Sequence, residues 1–321
     1  MRRVALIYNP ASGQRPERRA AQIAEVVAVL RGAGVEVKVI ATESSASAGA
    51  QAQEAVREGC DTILACGGDG TAHEVLQGLV GGSAALGVIP MGTANALAAD
   101  LGLPSSPVKA AKMLLAATPV RISVGQIFYH DSEGRSRARY FVVAAGVGVD
   151  AFFFSRLDSG LKQRFGYAAY VVEAFRMWAS HNFPVFATTL METGGDTPRV
   201  EDVSQLLAVR IGNFGGVVHK LVPNASVSNG NLSVIAFKTR SRWRYLRFML
   251  AVMFRRHTYA RSIELVDCIT VECRDLEGAT APTFVEADGE LLGALPVRIG
   301  VVPQALTLLI PQKTMSRISR P

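Results

Sequence analysis

The sequence Gly67-Gly68-Asp69-Gly70-Thr71 directly follows the apolar run Thr62-Ile63-Leu64-Ala65-Cys66, and it decides how the first part of the chain is read. A short apolar run that ends in glycines predicts a buried strand and a tight turn, and we expect a helix beyond Thr71. Glycines let the backbone approach a bulky anion, and the amides at the start of a helix favour phosphate. The stretch therefore predicts a nucleotide phosphate site. The alternative is a plain turn in which Asp69 only caps the helix.

Two common phosphate-binding motifs are excluded at this stretch. Residues 68–73 lack the third glycine of the dinucleotide-binding fingerprint, and no Gly-Lys-Ser/Thr follows as it does in a P-loop. A nucleotide bound here must be held in another way.

Strands and helices alternate through the first third of the chain. Further apolar runs predict strands at Arg3 to Tyr8, Val35 to Ala41 and Leu86 to Ile89, and a helical pattern follows each of them. This alternation is typical of a parallel sheet covered by helices on both faces, which is a Rossmann-like α/β domain. In such sheets ligands bind beyond the carboxyl ends of the strands.

Three loops with glycine, small hydroxyl or Asn side chains leave those carboxyl ends and should share one rim. They are Asn9-Pro10-Ala11-Ser12-Gly13, the turn from Gly67 to Thr71, and Met91-Gly92-Thr93-Ala94-Asn95. Such residues satisfy phosphate oxygens without adding bulk. Thr42, at the end of the second strand, can join them. Three loops on one rim favour the nucleotide site over the plain turn.

Beyond Pro119 the pattern changes to longer strand-like segments joined by Gly, Asp or Asn turns; one predicted strand runs from Ala138 to Val147. This change predicts an antiparallel β-sandwich domain, interrupted by helical insertions. We expect the α/β domain at residues 1–120, the sandwich at 121–304, and a final strand within 305–321 that returns to the first domain.

The composition limits the class of protein and its partners. A chain of 321 residues with 49% hydrophobic and 19% charged residues can bury a large core, and it is neither disordered nor fibrous. A net charge of +7 favours anionic partners. Basic regions interleaved with stacking aromatics are missing from the sequence, so we expect no nucleic-acid partner.

The sequence also bears on where the protein resides. Asn9-Pro10 ends the first apolar run too early for a signal peptide, and Arg247 interrupts the run from Tyr245 to Phe254, which is shorter than the roughly 20 residues of a membrane span. We therefore expect a cytoplasmic protein. Its four cysteines have no metal-ligand spacing, so we expect reduced and mostly buried thiols.

Four motifs carry a resemblance to a known family. Asn9-Pro10-Ala11-Ser12-Gly13, Gly67-Gly68-Asp69-Gly70-Thr71, Gly92-Thr93-Ala94-Asn95 and Asp288-Gly289-Glu290 occur in this order, and together they resemble the diacylglycerol kinase family, most of all its soluble bacterial branch. The resemblance spans nearly the whole chain. It implies an ATP-dependent lipid kinase that uses Mg²⁺ and phosphorylates the hydroxyl of a diacylglycerol-like lipid.

The resemblance also implies roles for individual residues. Asp288 and Glu290 occupy the catalytic position, where one of them takes the proton of the lipid hydroxyl, and the sequence does not tell which. Asp-Gly between two apolar runs is also a strong hairpin signal. The nucleotide site is implied to be lined by Asn9, Ser12, Gly13, Thr42, Gly67, Gly68, Asp69, Gly70, Thr71, Ala72, His73, Gly92, Thr93 and Asn95.

Two positions depart from the family pattern. Ala96 stands where the family commonly has Asp, and Asn229 replaces a frequent Asp before the glycine of a metal-associated turn. The resemblance implies a supporting metal site at Ser226, Asn229 and Asn231. Because Asn supplies an oxygen but no charge, we expect weak cation binding there.

A lipid kinase must dock on a membrane. The segment from Arg240 to Arg261 mixes arginines, among them Arg255 and Arg256, with Trp243 and other bulky apolar residues, and it is our candidate for transient contact with an anionic membrane surface. The alternative is a core helix with solvated arginines. The oligomeric state cannot be read from the sequence.

Two other functions are compatible with parts of the sequence. An NAD kinase shares the Gly-Gly-Asp-Gly turn and a related architecture, but the Asn9-Pro10 loop and the late Asp288-Gly289-Glu290 count against it. A nucleotide-binding regulatory protein with weakened catalysis is motivated by Ala96 and Asn229.

Overall fold

The structure is a computed structural model, and it forms two compact units. One unit comprises Met1–Val124, Asn213–Gly215 and Pro303–Pro321, and the other comprises Gly125–Gly212 and Gly216–Val302. The residues that the structure describes are 1–10, 16–44, 46–149, 151, 183–215, 221–222, 224–253, 262–279 and 281–318.

Strands and helices alternate in the first unit, and strands dominate the second. In chain order the described elements are β1 (Arg3–Tyr8), α1 (Pro16–Gly32), β2 (Glu36–Ala41), α2 (Ala48–Arg57), β3 (Thr62–Gly67), α3 (Asp69–Leu79), β4 (Ala85–Pro90), α4 (Ala96–Asp100), α5 (Pro107–Leu115), β5 (Thr118–His130), β6 (Ser136–Phe141), β7 (Ala144–Gly148), β8 (Phe186–Glu192), β9 (Arg199–Val203), β10 (Gln205–Val209), β11 (Leu232–Phe237), α6 (Arg242–Met253), β12 (Ile263–Asp275), β13 (Phe284–Ala287), β14 (Glu290–Ile310) and α7 (Gln312–Ile318).

The first unit is built on a parallel sheet in the order β2-β1-β3-β4, and the end of β14 extends it, with Thr307 paired to Ala85. Every residue of β3 and β4 is buried. Successive side chains of a strand point to opposite faces, so both faces of the sheet are covered. The helices pair as α1 with α5 and α2 with α3. This arrangement confirms the predicted α/β fold.

Helix α3 begins at Asp69, three residues earlier than the sequence pattern predicts. Gly68 is its N-cap in an extended conformation, and the Gly68 carbonyl accepts hydrogen bonds from the amides of Thr71 and Ala72. The glycine-rich stretch therefore forms the first turn of the helix and not a separate turn before it.

The second unit is an antiparallel sandwich-like fold, as predicted. Its strands follow the order β13-β7-β10-β11-β12-β8-β9, and β5 pairs with β6. Alternate side chains of these strands, including Phe141, Phe186 and Leu206, form one continuous buried core. The order brings β13, which carries the Asp288-Gly289 turn at its end, beside β7.

The predicted strand from Ala138 to Val147 is wrong in one respect, because the chain breaks it into β6 and β7. Val142 and Val143 lie at the break. Their amides donate hydrogen bonds to the carboxylate of Asp288, and these bonds take the place of strand pairing. Strand β9 was not predicted, since its sequence Arg-Val-Glu-Asp-Val lies at the edge and is mostly polar.

All four cysteines are buried free thiols, which confirms the prediction for them. Burial raises the pKa of the Cys268 and Cys273 thiols to about 12. At neutral pH these thiols stay protonated, so they are poor nucleophiles and poor metal ligands.

Helix α6 has an apolar buried face and a mixed exposed face. Tyr245 and Phe248 are buried and pack on Phe237, with ring centroids 5.3 and 5.2 Å apart. Trp243 and Arg247 lie on the exposed side, and Trp243 is 67% exposed. Among the residues that the structure describes, no helix combines the length and apolar character that crossing a membrane requires.

Candidate functional site

The rim at the carboxyl ends of β1, β3 and β4 gathers the described parts of the three predicted loops. The three strands are neighbours in the sheet. The Met91 amide donates a hydrogen bond of 2.8 Å to the Gly67 carbonyl, and the Thr42 amide donates one of 2.9 Å to the Tyr8 carbonyl. Ser12 and Gly13 lie outside the described residues.

Asp69 links the second loop to the third. Its Oδ1 accepts a hydrogen bond of 2.7 Å from the backbone amide of Ala96, the first residue of α4. The link spans 27 residues of sequence. Asp69 therefore does cap a helix, but the helix is α4 and not the one it begins.

The third loop is closed by Asn95 and lies against the second. Asn95 adopts a left-handed conformation, its Oδ1 accepts from the Gly92 amide at 2.9 Å, and its Nδ2 donates to the Gly92 carbonyl at 2.8 Å. A Cβ atom at Gly92 would lie 2.5 Å from the Cα of Gly68, which is too close for any real contact. Only glycine at position 92 allows the two loops to approach this closely.

Arg19 of α1 holds the first and third loops, and sequence reasoning missed it. Its side chain is 8% exposed and donates hydrogen bonds to the carbonyls of Asn9, at 3.4 Å, and Met91, at 3.1 Å. Burial lowers the pKa of its guanidinium. In the sequence, Arg19 is one arginine in an ordinary amphipathic helix, and this pattern does not show which residues it contacts.

The predicted nucleotide residues differ in accessibility. Gly70, Gly92 and Thr93 are exposed, whereas Thr71 and Ala72 are half-buried. His73 is buried, with only 1% of its surface exposed, so it is less accessible than Thr71 and Ala72. The accessible groups are thus mainly backbone and small side chains, which suit phosphate oxygens.

In the second unit, Asp288 begins a two-residue hairpin turn and is held by backbone donors. Asp288 and Gly289 both have positive φ, at 49° and 85°, as the turn between β13 and β14 requires. The Asp288 carboxylate accepts hydrogen bonds from the amides of Val142, Val143 and Ala144, at 3.1, 2.9 and 3.1 Å. The Asp288 amide donates to the Ala144 carbonyl at 2.8 Å. Asp288 thus ties the turn to the break between β6 and β7.

Glu290 is the second predicted catalytic carboxylate, and its contacts differ from those of Asp288. Its side chain is 36% exposed, and one carboxylate oxygen lies 3.4 Å from Nη2 of Arg139. The Arg139 side chain is itself 26% exposed. The two predicted catalytic carboxylates thus differ in their partners: backbone amides engage Asp288, and an arginine lies beside Glu290.

The predicted metal residues Ser226, Asn229 and Asn231 lie in a turn where the side chains of Ser226 and Asn229 contact other residues of the same turn. Asn229 uses its side-chain Nδ2 to donate to the Asn224 carbonyl at 3.0 Å, and the Ser226 hydroxyl is 2.9 Å from that of Ser228. The stretch from Asn224 to Asn231 contains no carboxylate. Mg²⁺ favours carboxylate ligands, so these residues do not suit it.

Comparison with protein families gives two adjacent matches. The diacylglycerol kinase catalytic domain matches residues 3–127, and the YegS C-terminal NAD kinase beta sandwich-like domain matches residues 142–310. The first match contains the parallel strands β1 to β4, and the second contains β7 to β14, including the end of β14 that extends the parallel sheet.

Curated relatives cover nearly the whole chain. A diacylglycerol kinase of Bacillus subtilis (strain 168) is 29% identical over 299 residues, covering 92% of this chain and 92% of the relative. A diacylglycerol kinase of Mycobacterium tuberculosis is 29% identical over 314 residues, covering 97% of this chain and 96% of the relative.

Solved structures share the fold. A diacylglycerol kinase of Bacillus anthracis str. Sterne has a TM-score of 0.72 at 19% identity, with 97% of each chain covered. Yeast NADH kinase complexed with NADH has a TM-score of 0.51 at 9% identity, covering 99% of this chain and 86% of that one. Because the fold is common to both kinds of kinase, the sequence matches decide between them.

The fold, the rim and these matches define a lipid kinase. The chain belongs to the diacylglycerol kinase family.

Proposed function

We propose that this lipid kinase transfers the terminal phosphoryl group of ATP to the hydroxyl of a diacylglycerol-like lipid, with Mg²⁺ accompanying the nucleotide. The observation that carries the proposal is the glycine-lined rim of the first unit, which Arg19 and Asp69 hold together. The names of the curated relatives support the class of acceptor.

The rim supplies what phosphoryl transfer asks of a protein. The reaction needs little covalent help, because positioning and charge stabilisation provide most of the catalysis. The first turn of α3 offers backbone amides to the phosphate oxygens, and the exposed Thr93 offers a hydroxyl. Mg²⁺, bound through the phosphates, would offset negative charge on the transferred group.

We assign the proton of the lipid hydroxyl to Glu290 and a positioning role to Asp288. An ionised carboxylate has about four acceptor positions, and backbone amides use three of those on Asp288. The Glu290 side chain is 36% exposed, and its carboxylate lies 3.4 Å from Arg139. A base must reach the proton that it takes, and Glu290 is better placed to do so.

We further propose that α6 makes transient contact with an anionic membrane surface. Its exposed side carries Arg242, Trp243, Arg244, Arg247 and Leu250, which is the mixture of cationic and bulky apolar groups that interfacial helices use. Arg255 and Arg256, predicted to take part, lie outside the described residues.

A panel of acceptors tests the proposed substrate class. The purified protein would receive ATP, Mg²⁺ and separate micelles of diacylglycerol, phosphatidylglycerol, a sphingoid base or a polyprenol, and mass spectrometry would identify the products. We expect phosphatidic acid as the main product. Phosphorylation of NAD, offered as a fifth acceptor, with no lipid product would support the NAD kinase alternative. Nucleotide binding without any product would support the regulatory alternative.

A further inference from the structure

Arg210 is a buried cation at the centre of the turn that was expected to hold a metal. It directly follows β10, and only 1% of its surface is exposed. Its guanidinium donates to the carbonyls of Asn229 at 2.8 Å and Val227 at 3.2 Å, and also to that of Asn231. Its own amide donates to the Val143 carbonyl at 2.9 Å.

The three carbonyls come from alternate residues and point at one positive group. Backbone carbonyls that converge in this way are typical ligands of Ca²⁺ in loops. Here the same oxygens accept charge-assisted hydrogen bonds from a planar guanidinium, which can bond several acceptors at once. A metal ion and this guanidinium cannot occupy the same place.

The guanidinium stays charged although it is buried. A guanidinium is effectively always protonated in proteins. Removing an arginine from water is costly unless its donors are satisfied, and the converging carbonyls offset that cost. The guanidinium and the carbonyls therefore stabilise each other, because the carbonyls receive donors and the buried guanidinium receives acceptors.

We propose that Arg210 serves as the built-in cation of the turn from Asn224 to Asn231, so that this turn folds without a metal ion. Arg210 then explains why Asn229 can replace the frequent Asp. The guanidinium supplies the positive charge, so the turn needs neither a divalent ion nor a carboxylate to bind one. The turn itself then contributes no metal requirement. The inference concerns the fold of the second unit and does not rest on the proposed acceptor.

Metal titration without nucleotide tests the first half of the proposal. Thermal unfolding of the wild type would be followed in EDTA and in increasing Mg²⁺ or Ca²⁺, and Mn²⁺ binding would be measured by electron paramagnetic resonance. A metal bound to the folded turn raises Tm as its concentration increases. We expect a change in Tm below about 1 °C and no tightly bound Mn²⁺. A saturable rise in Tm that the double substitution Ser226→Ala and Asn229→Ala abolishes would overturn the proposal.

Substitution of the arginine tests the second half. Arg210→Met should lower Tm by about 5 °C or more, because it leaves three carbonyls, among them the buried one of Val227, without their donor. Arg210→Lys keeps a charge and should fall between Met and the wild type. The matched control is Arg298→Met, at an exposed arginine 3.5 Å from Glu272, which should change Tm little.

Hydrogen exchange locates the effect within the chain. In Arg210→Met, amides of residues 224–231 should exchange faster while those of β11 change little, and Arg298→Met should leave both unchanged. If Arg210→Met is too unstable to purify, the comparison is made with Arg210→Lys. Slow exchange of residues 224–231 in both Arg210 variants, or a Lys variant no more stable than the Met variant, would contradict the role of the charge.

Discussion

The carboxylate of Asp69 accepts a hydrogen bond of 2.7 Å from the backbone amide of Ala96, so the glycine-rich start of α3 and the loop after β4 share a direct polar contact. The Met91 amide adds a second contact through the Gly67 carbonyl. The two loops thus form one preorganised surface, and their shape should matter more to nucleotide binding than any single side chain.

The first prediction concerns this contact. Asp69→Ala removes the acceptor and should weaken ATP binding by roughly tenfold, since an N-cap contact contributes about 0.5–2 kcal/mol. Asp69→Asn keeps an oxygen that can accept from Ala96 and should bind ATP better than Asp69→Ala. Isothermal titration calorimetry with Mg²⁺ and ATP measures both, with the exposed Asp202→Ala as control. Equal affinities for the wild type and Asp69→Ala would refute the linking role.

The second prediction concerns Arg19. Arg19→Met keeps much of the side chain's apolar volume but loses the hydrogen bonds to Asn9 and Met91, so the KM for ATP should rise by about tenfold while the lipid KM stays unchanged. Arg18 is exposed on the same helix, and Arg18→Met is the matched control. Steady-state kinetics with each substrate varied in turn separates the two effects. A change in the lipid KM alone would show that Arg19 does not organise the nucleotide loops.

The third prediction separates the two carboxylates. Glu290→Gln should bind ATP normally and keep the wild-type Tm, while the turnover falls by about 10²–10⁴-fold, because the base is lost. Asp288→Asn should lower both Tm and turnover, since an amide nitrogen facing the amides of Val142 and Val143 adds a donor where acceptors are needed. Fluorescence melting and single-turnover assays measure the two quantities. If Glu290→Gln keeps the full turnover of the wild type, Glu290 is not the base.

The fourth prediction concerns α6. Arg247→Glu should reduce sedimentation with phosphatidylglycerol vesicles by roughly tenfold, because each basic residue near an anionic surface contributes about 1 kcal/mol. Trp243→Ala should also reduce sedimentation with the vesicles. Because the lost contact is apolar, the reduction should not depend on the salt concentration. Arg298→Glu, at an exposed arginine outside the helix, is the control. If both α6 variants bind the vesicles as well as the wild type does, the helix has only a structural role.

Much of the fold could be predicted from the sequence because local signals sufficed. The apolar runs of β3 and β4 can only be buried strands, and glycine after β3 marks the rim. The Asp288-Gly289 hairpin also follows from its residues, since both adopt positive φ.

The remaining features depend on contacts between distant parts of the chain, which leave no periodic signal. Arg19 reaches Met91 across 72 residues, and Asp288 reaches Val142 across 146. In the sequence, Arg210 is an ordinary arginine at the end of an apolar strand. Only the structure shows its carbonyl partners. Ala96 stands where the family commonly has Asp, and its backbone amide donates a hydrogen bond to the carboxylate of Asp69.

Transfer of labelled phosphate into lipid tests the central claim most directly. The purified protein would be incubated with ATP labelled in its terminal phosphate, Mg²⁺ and diacylglycerol micelles, and the organic and aqueous phases would then be counted, with Glu290→Gln in parallel. We predict that label enters the organic phase with the wild type and falls to near background with Glu290→Gln. Label that stays in the aqueous phase while the protein demonstrably binds ATP would contradict the assignment of diacylglycerol as acceptor.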